Sequence, residues 1–345
     1  MDSQKKILVF GGAGFIATYL IDELLKQGYS VVASDISSIG EAYCKEQGIP
    51  YIPVDITKIE DFEKMKGNHF DVVIILAALQ PANFSSANYQ PKDYININVN
   101  GTLNILEFCR QNGVKKVIYG SSHRNTSGLW SKNRPIKEED GRALEYIGEY
   151  SMFGISETSA QDCVEYYRAN YYIQGIIFRL PPVYGFGPHL DIFKDGKPVK
   201  TGFQTFIENA LEGKPLEMWG DSSVGRDIIY VKDVVSAFLK AIENEKVGGI
   251  YNITSGYSLT LREEVETIAK VFGKENSYPE IILRADKPHK MDSFVYDNSK
   301  AKAELDWSPQ YNFEALLIDY KKEVENNKFG FLIEKRNQLF KENEY

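Results

Sequence analysis

Lys6-Ile-Leu-Val-Phe-Gly-Gly-Ala-Gly-Phe-Ile-Ala17 is the stretch on which the reading of this chain turns. Its first five residues end in an apolar run of strand length, the kind buried on both faces. Gly11, Gly12 and Gly14 follow at once, and Phe15, Ile16, Tyr19, Leu20 and Leu24 then recur at helical spacing until Gly28. A glycine turn between a first strand and a helix lets backbone approach a pyrophosphate, and the helix N-terminus adds N–H donors and positive dipole. Tyr29-Ser-Val-Val-Ala33 reads as the second strand and leads to Asp35. A carboxylate there accepts hydrogen bonds from an adenosine ribose and repels a 2′-phosphate. No arginine lies between Ser34 and Ser38 to offset it, so the expected cofactor is NAD rather than NADP. Asp55, with Ile56 beside it, reads equally as an adenine contact and as a turn acid capping the next helix.

Strand and helix patterns alternate outward from this turn. Strands are expected at Tyr51–Val54, Asp71–Leu76, Lys115–Tyr119 and Gly175–Arg179, and helices at Asn98–Arg110 and Glu149–Tyr172. Such alternation implies right-handed crossovers and a parallel sheet, hence an α/β, Rossmann-type doubly wound fold. Pro and Gly cluster from Pro181 to Pro198, where the pattern loosens. Ile228–Val231 is expected to be a strand returning to the sheet. The chain is therefore divided into a dinucleotide-binding domain (1–180 and about 225–260) and a smaller, discontinuous α/β lobe (about 181–224 and 261–330). The charged stretch from Asn312 reads as a helical surface element, with 331–345 as a C-terminal extension.

Composition narrows the function. The 345 residues are 43% hydrophobic and 26% charged, and Lys+Arg 40 against Asp+Glu 48 leaves a net charge of −8. That balance disfavours a broad nucleic-acid or anionic-membrane surface, while still allowing a local basic pocket. Cys44, Cys109 and Cys163 are scattered and in no metal-ligand spacing, as free thiols in a reducing compartment would be, and no metal is expected. The apolar runs Ile7–Phe10 and Val72–Leu79 are too short for a signal-peptide core or a membrane span, so a cytoplasmic location is expected.

Several further segments carry a resemblance. Phe10-Gly-Gly-Ala-Gly-Phe-Ile-Ala17 resembles a TGGxGFIG loop, with Phe10 for Thr and Ala17 for the last Gly. Leu76-Ala77-Ala78 resembles a cofactor-lining strand end, and Asn98-Val-Asn-Gly-Thr102 an NxxGT helix. Phe178-Arg-Leu-Pro-Pro-Val-Tyr-Gly185 resembles FRxxNVYG. Gly220–Asp227 with Tyr230–Asp233 resembles GDGxxxRDFxxVxD, and Asp297–Trp307 the closing DxSKAxxELGW. On these segments the chain resembles the extended short-chain dehydrogenase/reductases, in particular the NAD-dependent sugar-nucleotide epimerase/dehydratase family of the UDP-glucose 4-epimerase-like kind. The resemblance implies cofactor contacts from Gly11, Gly14, Phe15, Ile16, Asp35, Asp55, Ile56, Leu76, Ala77, Ala78 and Asn98. It implies a catalytic serine at Ser122 and a phosphate-binding Arg226. It also implies substrate contacts near Lys287 and Lys290, and Pro182 where an asparagine often holds the substrate. A homodimer through helices around Asn98–Cys109 and Glu149–Tyr171 is expected on the same ground.

The family's proton chemistry needs Tyr and Lys four apart on one helix, where they share a face and the cation lowers the phenol pKa from about 10. Here Phe153 occupies the tyrosine position and Glu157 the lysine position. Phenylalanine moves no proton, and glutamate carries the wrong charge. Substitute candidates are His123, which ordinarily titrates near neutrality, Tyr150 one turn before Phe153, and Glu157 itself if burial raises its pKa. Arg124 is a candidate to polarise a carbonyl or grip a carboxylate. Two functions are expected from these residues. The first is an NAD-dependent enzyme transferring hydride on a nucleotide-activated sugar with unusual acid/base residues. The second is a partner subunit or sensor that binds NAD and a sugar nucleotide without redox turnover.

Overall fold

A computed structural model describes residues 5–81, 90–131, 134–187, 191–194, 197–274, 277–288 and 292–342. Six strands of the central sheet precede residue 181: β1 (Lys6–Phe10), β2 (Ser30–Asp35), β3 (Tyr51–Pro53), β4 (Val72–Ile75), β5 (Lys116–Ser122) and β6 (Gln174–Leu180). With Gly249–Asn252 they form one seven-stranded sheet in the order 249–252, β6, β5, β4, β1, β2, β3. Every pairing in it is parallel. Strand order reverses between β1 and β4, and a crevice opens at such a switch point beyond the C-terminal strand ends.

The strands are apolar on both faces because both are covered. Ile7, Val9, Val31, Ala33, Val72 and Ile74 belong to one core, and Leu8, Phe10, Val32, Val73 and Ile75 to the other. This period of two divides each strand between helical layers. Helices α1 (Phe15–Lys26) and α2 (Ser38–Glu46) follow β1 and β2. The expected helix after Pro91 opens with a π-helical turn, Ile95–Asn100, and continues as Gly101–Gln111. Gly101 packs against Ile56, whose Cδ1 a Cβ there would meet at 2.6 Å and displace.

Two expectations are corrected. Ile228–Val231 does not return to the main sheet. Only Ile229–Tyr230 is extended, pairing with Val183–Tyr184, and Val231 starts the helix Val231–Glu243. The apolar run ends on Val231, the first residue of a helical stripe in which Val231, Val234, Val235, Phe238 and Ile242 are all buried. The returning strand is Gly249–Asn252 instead. The C-terminal stretch is also more than a surface element. Leu316, Leu317, Tyr320, Phe329 and Leu332 are buried in the core that covers one face of the sheet.

Beyond the sheet, Leu216–Trp219 pairs with Ile281–Arg284, and Gly225–Asp227 with Ser258–Thr260. Their helices, Gly202–Glu212 and Leu261–Phe272, share that same core. The lobe is thus packed continuously against the sheet. Among the described residues no helix is long and apolar enough to cross a membrane, and no metal-ligand cluster occurs. Cys44, Cys109 and Cys163 are free thiols.

Candidate active site

One cavity of about 2020 Å³ runs from the glycine turn across the strand ends into the lobe. Single small-molecule sites commonly occupy roughly 300–1,000 Å³, so this space accommodates a dinucleotide and a second ligand together. At its sheet end, Gly11 has φ +77°, and a Cβ there would sit 2.6 Å from Ala77 N and Leu76 C. The N–H groups of Gly11 and Gly12 both donate to Ser34 O, at 2.9 and 3.0 Å, which fixes the turn. Gly14 caps α1 without a side chain, so the first-turn N–H groups of Phe15, Ile16 and Ala17 have no acceptor among the described residues. A backbone cradle with free donors at a helix N-terminus fits a pyrophosphate.

Asp35 ends β2 at this cradle. Its carboxylate accepts from Ala13 N–H (3.1 Å), Ile36 N–H (2.7 Å) and Ser37 N–H (3.1 Å), and still lines the cavity. Asp55 also lines it, but its Oδ1 accepts from the Thr57 hydroxyl and N–H, and its Oδ2 pairs with Lys58 at 3.0 Å. Partial burial works against that charge, yet Thr57 and Lys58 hold the carboxyl below its usual value. Ile56, Leu76, Ala77 and Ala78 form the neighbouring wall. Asn98 does not reach the cavity. It is buried, with Oδ1 accepting from Leu79 N–H (2.7 Å) and Nδ2 donating to Leu79 O (3.1 Å) and Ser156 Oγ (2.9 Å). It shapes the wall that Leu79 forms instead of touching a ligand.

The middle of the cavity holds Ser122, Phe153 and Glu157. Ser122 ends β5, and its Oγ accepts from Arg124 N–H at 3.2 Å. Phe153 and Glu157 lie on the helix Ser151–Asn170, and both line the cavity with Ser122, Tyr150 and Arg124. Glu157 is 1% exposed. Its Oε2 accepts from Tyr119 O–H at 3.0 Å, and its buried Oε1 has no partner among the described residues. Burial pushes this carboxyl up to about 8, although the Tyr119 hydroxyl opposes the shift. The group therefore titrates close to neutrality.

His123 does not. Its Nδ1 donates to Leu180 O (3.1 Å), and its ring stacks on Trp130 at 5.3 Å with Phe294 on another side, also at 5.3 Å. Burial and the nearby Arg124 push it down to about 3. The expected near-neutral acid/base is a neutral imidazole in an aromatic box.

The lobe end is built around Arg226. Its Nη2 donates to Tyr184 Oη at 2.7 Å, the Tyr184 hydroxyl donates to Glu264 at 3.2 Å, and the guanidinium Nε is buried without a partner. Tyr184, first among the causes, raises the Arg226 pKa further. Pro182, Phe203, Phe206 and Trp219 line the same region. Lys287 stands outside the cavity, its Nζ 5.8 Å from the Trp219 ring, and Lys290 lies outside the described residues. Tyr119, Tyr184 and Glu264 were not expected as site residues. Tyr119 read as the end of the strand Lys115–Tyr119.

A glycine cradle at a switch point, an acid after the second strand and a second ligand space under a small lobe define a dinucleotide-dependent enzyme of the extended Rossmann type. The chain belongs to the NAD dependent epimerase/dehydratase family, whose model matches residues 7–254. It is similar to a UDP-N-acetyl-alpha-D-glucosaminuronate decarboxylase of Bacillus cytotoxicus, with 29% identity over 94% of this chain and 100% of that one. It is also similar to the solved UDP-glucose 4-epimerase of Thermotoga maritima, a structure with UDP-glucose (27% identity, 93% and 99% covered, TM-score 0.77). A Thermus thermophilus UDP-glucose 4-epimerase, solved as a complex with NAD, matches at 26% identity over 92% and 99% of the chains, TM-score 0.71. The expected fold class, family and NAD cofactor agree with these findings.

Proposed function

We infer that the protein is an NAD-dependent enzyme acting on a nucleotide-activated sugar, in which Glu157 replaces the missing tyrosine as the proton-handling group. One observation carries this: a buried carboxyl in the cavity wall whose enclosed Oε1 has no partner among the described residues and whose pKa is pushed up to about 8. A base of that strength matches chemistry near neutral pH. The first-turn N–H groups of α1 would hold the pyrophosphate, Asp35 the adenosine ribose, and Leu76–Ala78 the nicotinamide side. When bound, NAD supplies a reversible two-electron acceptor. Ser122 holds the reacting sugar oxygen, Glu157 Oε1 takes the proton that leaves it, and Tyr119 keeps Oε2 oriented away. Arg226 and Tyr184 face the nucleotide diphosphate, where a fork of donors is suited to phosphate.

A homodimer through the helices Gly101–Gln111 and Ser151–Asn170 fits the exposed Tyr166 and Tyr172 near the end of the second one. A cytoplasmic setting rests on the free thiols.

The test is absorbance at 340 nm over a single turnover with a panel of UDP- and dTDP-sugars. Reduced cofactor should form in the natural protein, faster as pH rises through about 8. Glu157→Gln should lose at least about 100-fold in rate with NAD affinity nearly unchanged, as removal of a proton-transfer group does. A rate untouched by Glu157→Gln removes Glu157 from the reaction. The aromatic Phe153 at the tyrosine position favours the second reading, a binding protein without redox turnover. Tight sugar-nucleotide binding with a flat absorbance trace would select that reading.

A further inference from the structure

Among the described residues, no anion pairs directly with Arg124. Its guanidinium carbon lies 3.9 Å from the Tyr150 ring centroid and 4.8 Å from that of Trp130. A cation held over ring faces in this way spends none of its N–H donors on a hydrogen bond to the rings. No hydrogen bond or ion pair from those donors to any described residue occurs. Glu145 and Asp292 act on it only through space. Burial lowers its pKa, so the charge sits where water solvates it poorly.

Arg179 and Arg226 differ. Arg179 is 1% exposed, donates to Asn252 Oδ1 at 3.2 Å and stays out of the cavity, as a structural arginine does. Arg226 spends part of its edge on Tyr184. Arg124 lines the cavity beside Ser122 and Phe153, on the side where the sugar must sit if Ser122 holds the reacting oxygen. A desolvated guanidinium with a vacant fork is matched by a carboxylate, which accepts two parallel N–H bonds.

We propose that Arg124, held between Tyr150 and Trp130, is the subsite for a carboxylate on the sugar, so that the protein takes acidic nucleotide-sugars in preference to neutral ones. The proposal rests on the sugar-nucleotide reading for its orientation, and its test separates the two. UDP, UDP-glucose and UDP-glucuronate are titrated into NAD-loaded protein by calorimetry. UDP-glucuronate should bind at least tenfold more tightly than UDP-glucose. Arg124→Ala should erase that gap while UDP itself, lacking the sugar, binds both proteins alike. Arg124→Gln, which keeps a planar group between the rings, should erase it too and guards against a loss caused by collapse of the stack. Equal affinities in the natural protein, or a preference that survives both variants, overturns the proposal. If UDP does not bind at all, the sugar-nucleotide reading fails. Free glucuronate against free glucose then decides the subsite, a thermal shift from the acid that depends on Arg124 supporting it and its absence overturning it.

Discussion

The two walls of the cavity are written in different parts of the residue. The cofactor wall is backbone. Gly11 leaves room for Ala77 N, Gly12 for Ala33, Gly101 for Ile56, and Asp35 anchors the turn through main-chain N–H groups. The catalytic wall is side chain. Phe153 and Glu157, on the helix Ser151–Asn170, meet the cavity through their side chains. Backbone geometry tolerates little substitution, because a Cβ in the wrong place moves a strand. Side-chain chemistry at a cavity surface can be exchanged while the scaffold stays.

The sharpest way to break this comparison is Gly11→Ala. The new Cβ would lie 2.6 Å from Ala77 N, at a φ of +77° that L-residues rarely adopt. NAD affinity should fall at least about 100-fold, or ~2.7 kcal/mol by calorimetry. Unchanged affinity would show that the turn does not cradle the cofactor.

Glu157→Gln tests the other wall through stability. The folded carboxyl is raised to about 8, above its unfolded value. Its stabilising contribution is therefore fully present below the unfolded pKa and is lost as pH rises through about 8. Denaturation of the natural protein should show stability falling between about pH 4.5 and 8. In Glu157→Gln that slope should shrink, leaving the variant more stable at pH 9 by on the order of a few kcal/mol. Part of the slope should remain, because burial raises Asp227 to about 7 as well. Identical slopes in the two proteins would mean that Glu157 is charged throughout.

The sequence made the backbone wall legible because its signals are local. A glycine turn, an acid after the next strand and period-two burial all lie within a few residues of one another. It misread what depends on distant partners. His123 becomes a neutral imidazole through Trp130 and Phe294, and the latter lies far along the chain. Glu157, a candidate on the condition that burial raises its pKa, is raised by burial, and what the sequence did not show is the opposing Tyr119 hydroxyl, 38 residues away on another element. Gly249–Asn252 escaped notice as a strand because four residues after a glycine pair carry little pattern, whereas Ile228–Val231 carried an apolar run that two structures can share.

Asp35→Ala should narrow the preference for NAD over NADP by roughly tenfold, since the carboxylate's repulsion of a 2′-phosphate would go while the glycine cradle stays. Comparing the two affinities in both proteins checks this. A clear NADP preference in the natural protein would overturn the role given to Asp35.

The smallest effect should come from Tyr119→Phe, which touches neither ligand. The Tyr119 hydroxyl donates to Glu157 Oε2 at 3.0 Å and favours the charged carboxylate against the burial that opposes it. Removing the hydroxyl leaves the ring and the packing in place but withdraws a hydrogen bond worth about 1 kcal/mol. The Glu157 pKa should therefore climb by roughly half a unit to one unit. The rising limb of the pH–rate profile should move up by the same amount, slowing the reaction several-fold at pH 7 and little above pH 9. A purely structural Tyr119 would lower the rate equally at every pH. A limb that stays where it was would assign the proton to a group other than Glu157, while leaving the backbone wall and its cofactor untouched.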